Sequence, residues 1–322
     1  MALTTVALIG FAFALDLLVG EPRTAAHPVA WFGTLVGWLD REWTDSPTGQ
    51  RLVGVFVAVL APLVPAGAAA GAVFAASEVH AVTGAVVAGT VLFLTMSLRS
   101  LLELTEEVVV ATENDLETAR ERIRGLVGRD ASTLSPAELR SGAIESAAEN
   151  LSDGLVATLI PFALLAPLSL PAAAAAAAWV KGVNTLDSML GYPSKPIGTA
   201  SARLDDLVMW LPARITAASI AVAAGDPRAL RRASEWARVP ASPNSGWPMA
   251  TLACVLSVRL RKPDAYDVNP SEELPTLEDG ERTVTLVALA AAVAVIVALV
   301  FATATTILAA ELETTAVSGV RL

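Results

Sequence analysis

The feature that most constrains this chain is an apolar run, residues 284–310, that continues for 27 residues without a charge. A helix rises about 1.5 Å per residue, so such a run outspans the roughly 30 Å hydrocarbon core of a bilayer. Residues 3–20, interrupted only by Asp16, and residues 52–76 and 80–98 form further apolar blocks. The chain is 54% hydrophobic, its mean hydropathy is +0.58, and its apolar residues come in blocks rather than at the spacing of soluble amphipathic helices. Lipid is therefore the solvent this sequence is written for. The expected fold is an all-α polytopic integral membrane protein with about four to six membrane helices. It reads as a single membrane-embedded domain over 1–322, with a soluble-side helical insertion over 99–153 and an irregular acidic loop over 261–283. No basic segment precedes the first apolar block, which therefore reads as a span and not a cleaved leader.

The net charge is −10, and Lys181, Lys195 and Lys262 are the lysines. An acidic, lysine-poor surface stays hydrated in concentrated salt, which points to a halophilic archaeon; GC-rich codon usage is the competing explanation. No basic stripe exists to neutralise nucleic-acid phosphates. The lone Cys254 excludes an internal disulfide and lies in the apolar string TLACVLSV, where packing explains it.

The polar stretches 21–51, 99–153, 181–206 and 225–283 carry 3, 6, 3 and 8 Lys plus Arg, and the turn at 77–79 carries none. The positive-inside rule puts those stretches in the cytoplasm of a cell-membrane protein, with both termini outside. One crossing by residues 154–180 would separate two of them. That segment carries Pro161, Pro167 and Pro171 and is too short for two crossings, so a re-entrant pair of half-helices is expected, with one kinked span and a site built from both sides as the alternative.

Ser135-Pro136-Ala137-Glu138 has the form of a capping box with proline at the first helical position, and predicts a helix running towards Asp153. On it Glu145, Glu149 and Asp153 recur every four residues beside Asn150. Stacked like charges repel, so the row suits a divalent cation, an ammonium substrate or paired arginines; a solvated acidic face is the alternative. In RLDDLVMWLPAR the residues Arg203, Asp206, Trp210 and Arg214 share one face of a single helix, with Asp205 turned away. Charges beside apolar runs usually pair or line a pathway. KGVNTLDSMLGYPSK crowds Asn184, Thr185, Asp187 and Ser188 ahead of Gly191 and Lys195, as in a phosphate or metal loop or an ordinary turn. In ASPNSGWP, Asn244 and Gly246 suit left-handed turn positions. His27, before Pro28, reads as an interfacial hydrogen-bonding group or a catalyst. No phosphate loop, dinucleotide fingerprint or zinc-protease motif is present. Gly33-x3-Gly37 and Gly67-x3-Gly71 need no more than glycine abundance to explain them.

In order and kind, several strings resemble one family. DLLVGEPRTAAHPVAWFG, GLVGRDASTLSPAELRSGAIESAAENLSDG, WVKGVNTLDSMLGY, ARLDDLVMWLPARIT and ASPNSGWP resemble successive motifs of the CobD/CbiB family, the adenosylcobinamide-phosphate synthases. Glu21, Met209 and Ala241 stand where that family commonly has aspartate, asparagine and histidine. The resemblance implies an ATP-dependent, Mg²⁺-dependent amide ligase. It would join adenosylcobyric acid, a corrinoid carboxylate, to aminopropanol or its O-phosphate, in contact with lipid and with other corrinoid-pathway enzymes. It implies catalytic roles for Glu145, Glu149, Asp153, Asp187 and Asp206, with Mg²⁺ at the first three. It further implies substrate or phosphate binding by His27, Arg129, Asn150, Asn184, Lys195, Arg203, Asp205, Arg214 and Asn244. Two other classes compete. A membrane signalling relative would not need so many polar motifs, and a transporter would gather its ionisable residues at mid-span.

The charge count makes one expectation directly testable. Cysteines introduced as Arg120→Cys and Arg232→Cys should resist a membrane-impermeant thiol reagent in intact cells, and labelling of both would reverse the assigned orientation.

Overall fold

In the computed structural model, which describes residues 2–126 and 131–319, the chain is a succession of helices. They begin with α1 (Ala2–Leu18), α2 (Pro28–Leu39), α3 (Pro47–Leu60), α4 (Leu63–Val79) and α5 (Ala81–Thr95). Next come α6 (Leu98–Asn114), α7 (Leu116–Arg122), α8 (Pro136–Leu151), α9 (Ala157–Leu165) and α10 (Leu170–Leu190). The series ends with α11 (Thr199–Val208), α12 (Trp210–Ala223), α13 (Ala229–Ala233), α14 (Gly246–Leu256), strands β1 (Leu260–Lys262) and β2 (Tyr266–Val268), and α15 (Leu277–Gly319). Among the described residues four helical stretches are long and apolar enough to cross a bilayer: Pro47–Val79, Ala81–Asn114, Pro136–Leu165 and Leu277–Leu312. Counting the broken pair Pro196–Val208 and Trp210–Ala223 as one more gives five, so the chain is the polytopic all-α membrane protein its apolar blocks require.

Two compact units divide these elements: residues 1–97, 157–208 and 295–322 form one, and residues 98–156 and 209–294 the other. In the first unit α10 is the central helix, packed on α2, α4, α5, α9 and α11. Its alanine run makes this possible, because small side chains let helix backbones approach where lipid offers no hydrophobic drive. A Cβ added at Gly182 would sit 3.2 Å from Pro62 Cα. A Cβ added at Gly33 or Gly37 would make only ordinary contact with Met189, at 3.7 and 3.9 Å, and one at Gly67 or Gly71 would meet nothing within 4 Å, so neither glycine pair is a helix-crossing motif. Gly54 of α3 is needed, since a Cβ there would run into the Ile197 carbonyl.

The proline-bearing segment breaks as its prolines demand, but elsewhere than its length suggested. The chain turns at 166–169 around Pro167, and Ser169 caps α10 with Pro171 in its first turn. Pro161 lies inside α9. Both helices continue beyond the 27 apolar residues into polar sequence, one back to Pro136 and the other on to Leu190. The insertion over 99–153 is helical as expected, yet α6 and α8 belong to stretches of membrane-crossing length.

In the second unit α6, α7 and α8 close on a core of Val108, Val109, Ile123, Leu134 and Leu139. The capping box is present, with Ser135 Oγ accepting from the Glu138 N–H and the Glu138 carboxylate accepting from the Ser135 N–H. The acidic loop over 261–283 is less irregular than its composition implied. An antiparallel pair places Leu260 opposite Val268, and the left-handed Asp264 (φ 59°) makes the tight turn between the strands. A second capping box, Thr276 with Asp279, starts α15.

Arg140, 8% exposed, ties this unit together. Its Nε–H donates to the Pro275 carbonyl (2.9 Å), and Nη1 donates to Thr112 Oγ1 (2.9 Å) and Glu113 Oε1 (3.0 Å). Arg140→Met keeps the aliphatic stem and strands those acceptors. It should cost about 1–3 kcal/mol, read as a lower unfolding midpoint in mixed detergent micelles, whereas an unchanged midpoint would deny the residue this role.

Candidate functional site

The carboxylate row is built from α8 and the π turn that follows it, Ser152–Val156. Glu145 is 4% exposed. Ser141 Oγ donates to its Oε1 (3.0 Å) and the Tyr266 hydroxyl to its Oε2 (3.0 Å), while the Arg261 N–H donates to Ser141 Oγ (2.7 Å). The hairpin thus clamps the first carboxylate of the row. Glu149, Asn150 and Asp153 are half-buried. Because a π turn holds more residues than an α turn, the four-residue stacking ends at Glu149, and Asp153 leaves the register expected of it. Among the described residues no group of three or more His, Cys, Asp or Glu side chains could hold a metal. The expected three-carboxylate cage is therefore not formed by side chains alone, and Glu145 is a fixed hydrogen-bond acceptor within the row. Mg²⁺ needs only one or two carboxylates where substrate phosphates complete its shell, and Glu149 and Asp153 are the half-buried carboxylates of the row.

The same unit holds Arg214 in a prepared setting. Its Nη1 donates to Asn244 Oδ1 and to the Trp210 carbonyl (3.0 Å), and Nη2 to the Pro243 carbonyl (3.3 Å). The guanidinium lies 5.0 Å from the Trp210 ring and 5.4 Å from the Trp247 ring. Asn244, 4% exposed, is there to orient the arginine; neither it nor Gly246 takes the left-handed conformation expected of a turn. Gly246 is required instead by the Ala237 carbonyl, into which a Cβ would run.

The single helix face expected for Arg203, Asp206, Trp210 and Arg214 does not exist, since α11 ends at Val208 and α12 starts at Trp210. Pro212 has no N–H for the Val208 carbonyl, which opens the helix at Met209. Arg203, exposed, and Asp206, half-buried, remain one turn apart on α11, at 4.0 Å, with Asp205 half-buried between α11 turns.

In that first unit the polar cluster is also not a loop. Asn184, Thr185, Asp187 and Ser188 occupy the last turns of α10, where Thr185 Oγ1 donates to the Lys181 carbonyl and Ser188 Oγ to the Asn184 carbonyl, both at 2.8 Å. Asn184, Asp187 and Ser188 fall on one face by their spacing. Burial, with the Asp206 charge adding to it, pushes the Asp187 carboxyl above the usual range. Lys195 is held by Asp40 Oδ2 (2.5 Å) and the Met189 carbonyl (3.0 Å), a tie between the end of α2 and the end of α10. His27 is the N-cap of α2, its Nδ1 accepting the Val29 N–H at 3.2 Å. Arg129 lies outside the described residues.

Sequence reasoning missed Ser141 and Tyr266, the partners of Glu145, as well as Asp40 and Trp247. Tyr266 is one of two tyrosines in a chain with 5% aromatic residues, the only signal that could have singled it out.

The family model described as "CobD/Cbib protein" matches residues 9–296. The chain belongs to the CobD/CbiB family. Similar curated proteins include the cobalamin biosynthesis protein CobD of Geobacter metallireducens, 39% identical over 85% of this chain and 86% of that protein. The probable cobalamin biosynthesis protein CobD of Methanothrix thermoacetophila is 34% identical over 86% of this chain and 90% of its own length. CbiB of Salmonella paratyphi B is 33% identical over 85% and 88%. No solved structure matches. In this CobD/CbiB chain the carboxylates of α8, α10 and α11 lie within the matched residues.

Burial lowers the His27 pKa below its ordinary 6.5, against the smaller raising effect of Glu21. A histidine with a depressed folded pKa stabilises above its unfolded value and loses that contribution as pH falls. Protonation also removes the Nδ1 acceptor from the cap. Thermal stability should therefore fall between about pH 7 and about pH 5 more in wild type than in His27→Asn, which keeps a capping oxygen; parallel pH profiles would contradict the capping role.

Proposed function

We propose that this CobD/CbiB protein is an adenosylcobinamide-phosphate synthase, an ATP-dependent ligase that joins the adenosylcobyric acid carboxylate to aminopropanol or aminopropanol O-phosphate. The observation that carries the reading is the family match over residues 9–296, which takes in every polar string described above.

A corrinoid carboxylate is a poor electrophile, and ATP supplies the activation. A carboxylate oxygen attacks the terminal phosphorus, giving an acyl phosphate and ADP. The amine nitrogen then attacks the carbonyl carbon, the C–N bond forms, and the C–O bond to phosphate breaks, releasing orthophosphate. The amine must first surrender a proton. Arg214, its fork oriented by Asn244 and the Pro243 carbonyl, suits the binding of a phosphate or a propionate, which a planar guanidinium grips bidentately. Mg²⁺, held by Glu149 and Asp153 together with nucleotide oxygens, would neutralise charge on the transferring phosphoryl group. Glu145, locked by Ser141 and Tyr266, fixes the rotation of α8 and so the aim of Glu149.

Glu149→Gln keeps size and helix propensity while removing charge. Corrinoid amidation by the purified variant should fall at least about tenfold, roughly 1.4 kcal/mol of barrier, with expression intact and partial rescue at raised Mg²⁺ under constant ionic strength. Wild-type turnover at every Mg²⁺ concentration would return the row to a solvated acidic helix face.

A further inference from the structure

Two cavities of the first unit meet at one lysine. An apolar cleft of about 440 Å³ lies among α2, α4, α5 and α10, walled by Trp31, Phe32, Ala68, Ala72 and Val91 among others. A polar cavity of about 310 Å³, lined by Glu21, Thr24, His27 and Ser97, adjoins it. Val29, Leu94 and Lys181 line both, so the apolar cleft and the more polar cavity adjoin along a shared wall that includes Lys181. Both volumes lie in the range of about 300–1,000 Å³ that binds small molecules.

We propose that this space binds one membrane phospholipid of the phosphatidylethanolamine type, with an acyl chain in the cleft and the phosphate against Lys181. The helices that wall the cleft choose lipid over a soluble ligand. α4 and α5 lie in stretches of membrane-crossing length, and Val64, Phe74, Val82 and Val86 on them are large apolar side chains left uncovered. Trp31, 59% exposed, gives its indole N–H to the Ala25 carbonyl at 2.9 Å, the arrangement of an aromatic ring at the boundary between acyl chains and headgroups. The order of chemistry along the space is that of the lipid: hydrocarbon wall, then a cation for the phosphate diester, then the Glu21 carboxylate for the headgroup ammonium. Glu21 also disfavours a headgroup of net negative charge. Lipid bound this way fills space between α2, α4 and α10 that side chains leave open. The inference rests on the membrane-embedded fold and not on the ligase chemistry.

Tryptophan quenching by chain-brominated lipid tests it on the intact protein in nanodiscs, with Trp31→Phe isolating the Trp31 signal. At equal mole fraction, brominated phosphatidylethanolamine should quench Trp31 more than brominated phosphatidylglycerol or diacylglycerol. Lys181→Gln should abolish the advantage over diacylglycerol. Ala72→Phe, at an exposed position of the cleft wall, should reduce quenching by phosphatidylethanolamine without disturbing the fold, as checked by size-exclusion chromatography. Equal quenching by the three lipids in wild type would mean bulk annular lipid only and would overturn the proposal, as would quenching indifferent to Ala72→Phe. Stronger quenching by phosphatidylglycerol would overturn the headgroup assignment to Glu21.

Discussion

Lipid offers no hydrogen bonds, and that constraint governs the rest of the molecule. Every backbone N–H and C=O at membrane depth must be paired within the protein, which leaves helices as the form these apolar blocks can take. Helices in lipid gain little by hiding apolar side chains from their surroundings, so they associate by fit. α10 shows the consequence, its alanine run and Gly182 letting the start of α4 pack so close that a side chain at Gly182 would crowd Pro62 and Pro65. Once α10 is seated, its polar end has a fixed place. Asn184 and Asp187 ride on the last turns of a helix that cannot rotate without losing the contacts of its alanine face.

Polar groups are then held by a few specific ties. Lys195 joins Asp40 to the Met189 carbonyl, Arg140 joins three segments of its own unit, and Tyr266 and Ser141 hold Glu145 from two sides. The ties at Arg140 and Glu145 satisfy charges that burial would otherwise penalise. Glu149 and Asp153, half-buried, are the carboxylates the proposed chemistry uses.

How much of this is legible from sequence depends on the range of the cause. The membrane spans follow from uninterrupted apolar runs, and the start of α8 from a capping box complete within four residues. Local signals also existed for two features that were overlooked. Thr276-x-x-Asp279 is a capping box, and Pro212 marks the opening of the helix at Met209. The polar string KGVNTLDSML reads as a loop or turn by composition, yet it is helical, its Thr185 and Ser188 hydroxyls satisfied by carbonyls one turn back in α10. The partners of Glu145 were beyond local reach. Tyr266 lies 121 residues away in the chain, and a helical spacing rule sees only the side chains above and below. The π turn that displaces Asp153 has no clear signature in SAAENLSDGLV. The identity of the family was legible from strings, while the orientation of each side chain within those strings was not.

The central claim is that the chain activates a corrinoid carboxylate with ATP before joining it to an amine. Isotope transfer reports on that step directly. Purified protein in detergent, given adenosylcobyric acid labelled with oxygen-18 in the reacting carboxylate, aminopropanol O-phosphate, ATP and Mg²⁺, should release orthophosphate carrying one labelled oxygen for each amide formed. Amide formation without label in the phosphate, or ATP consumption independent of the corrinoid, would contradict the account.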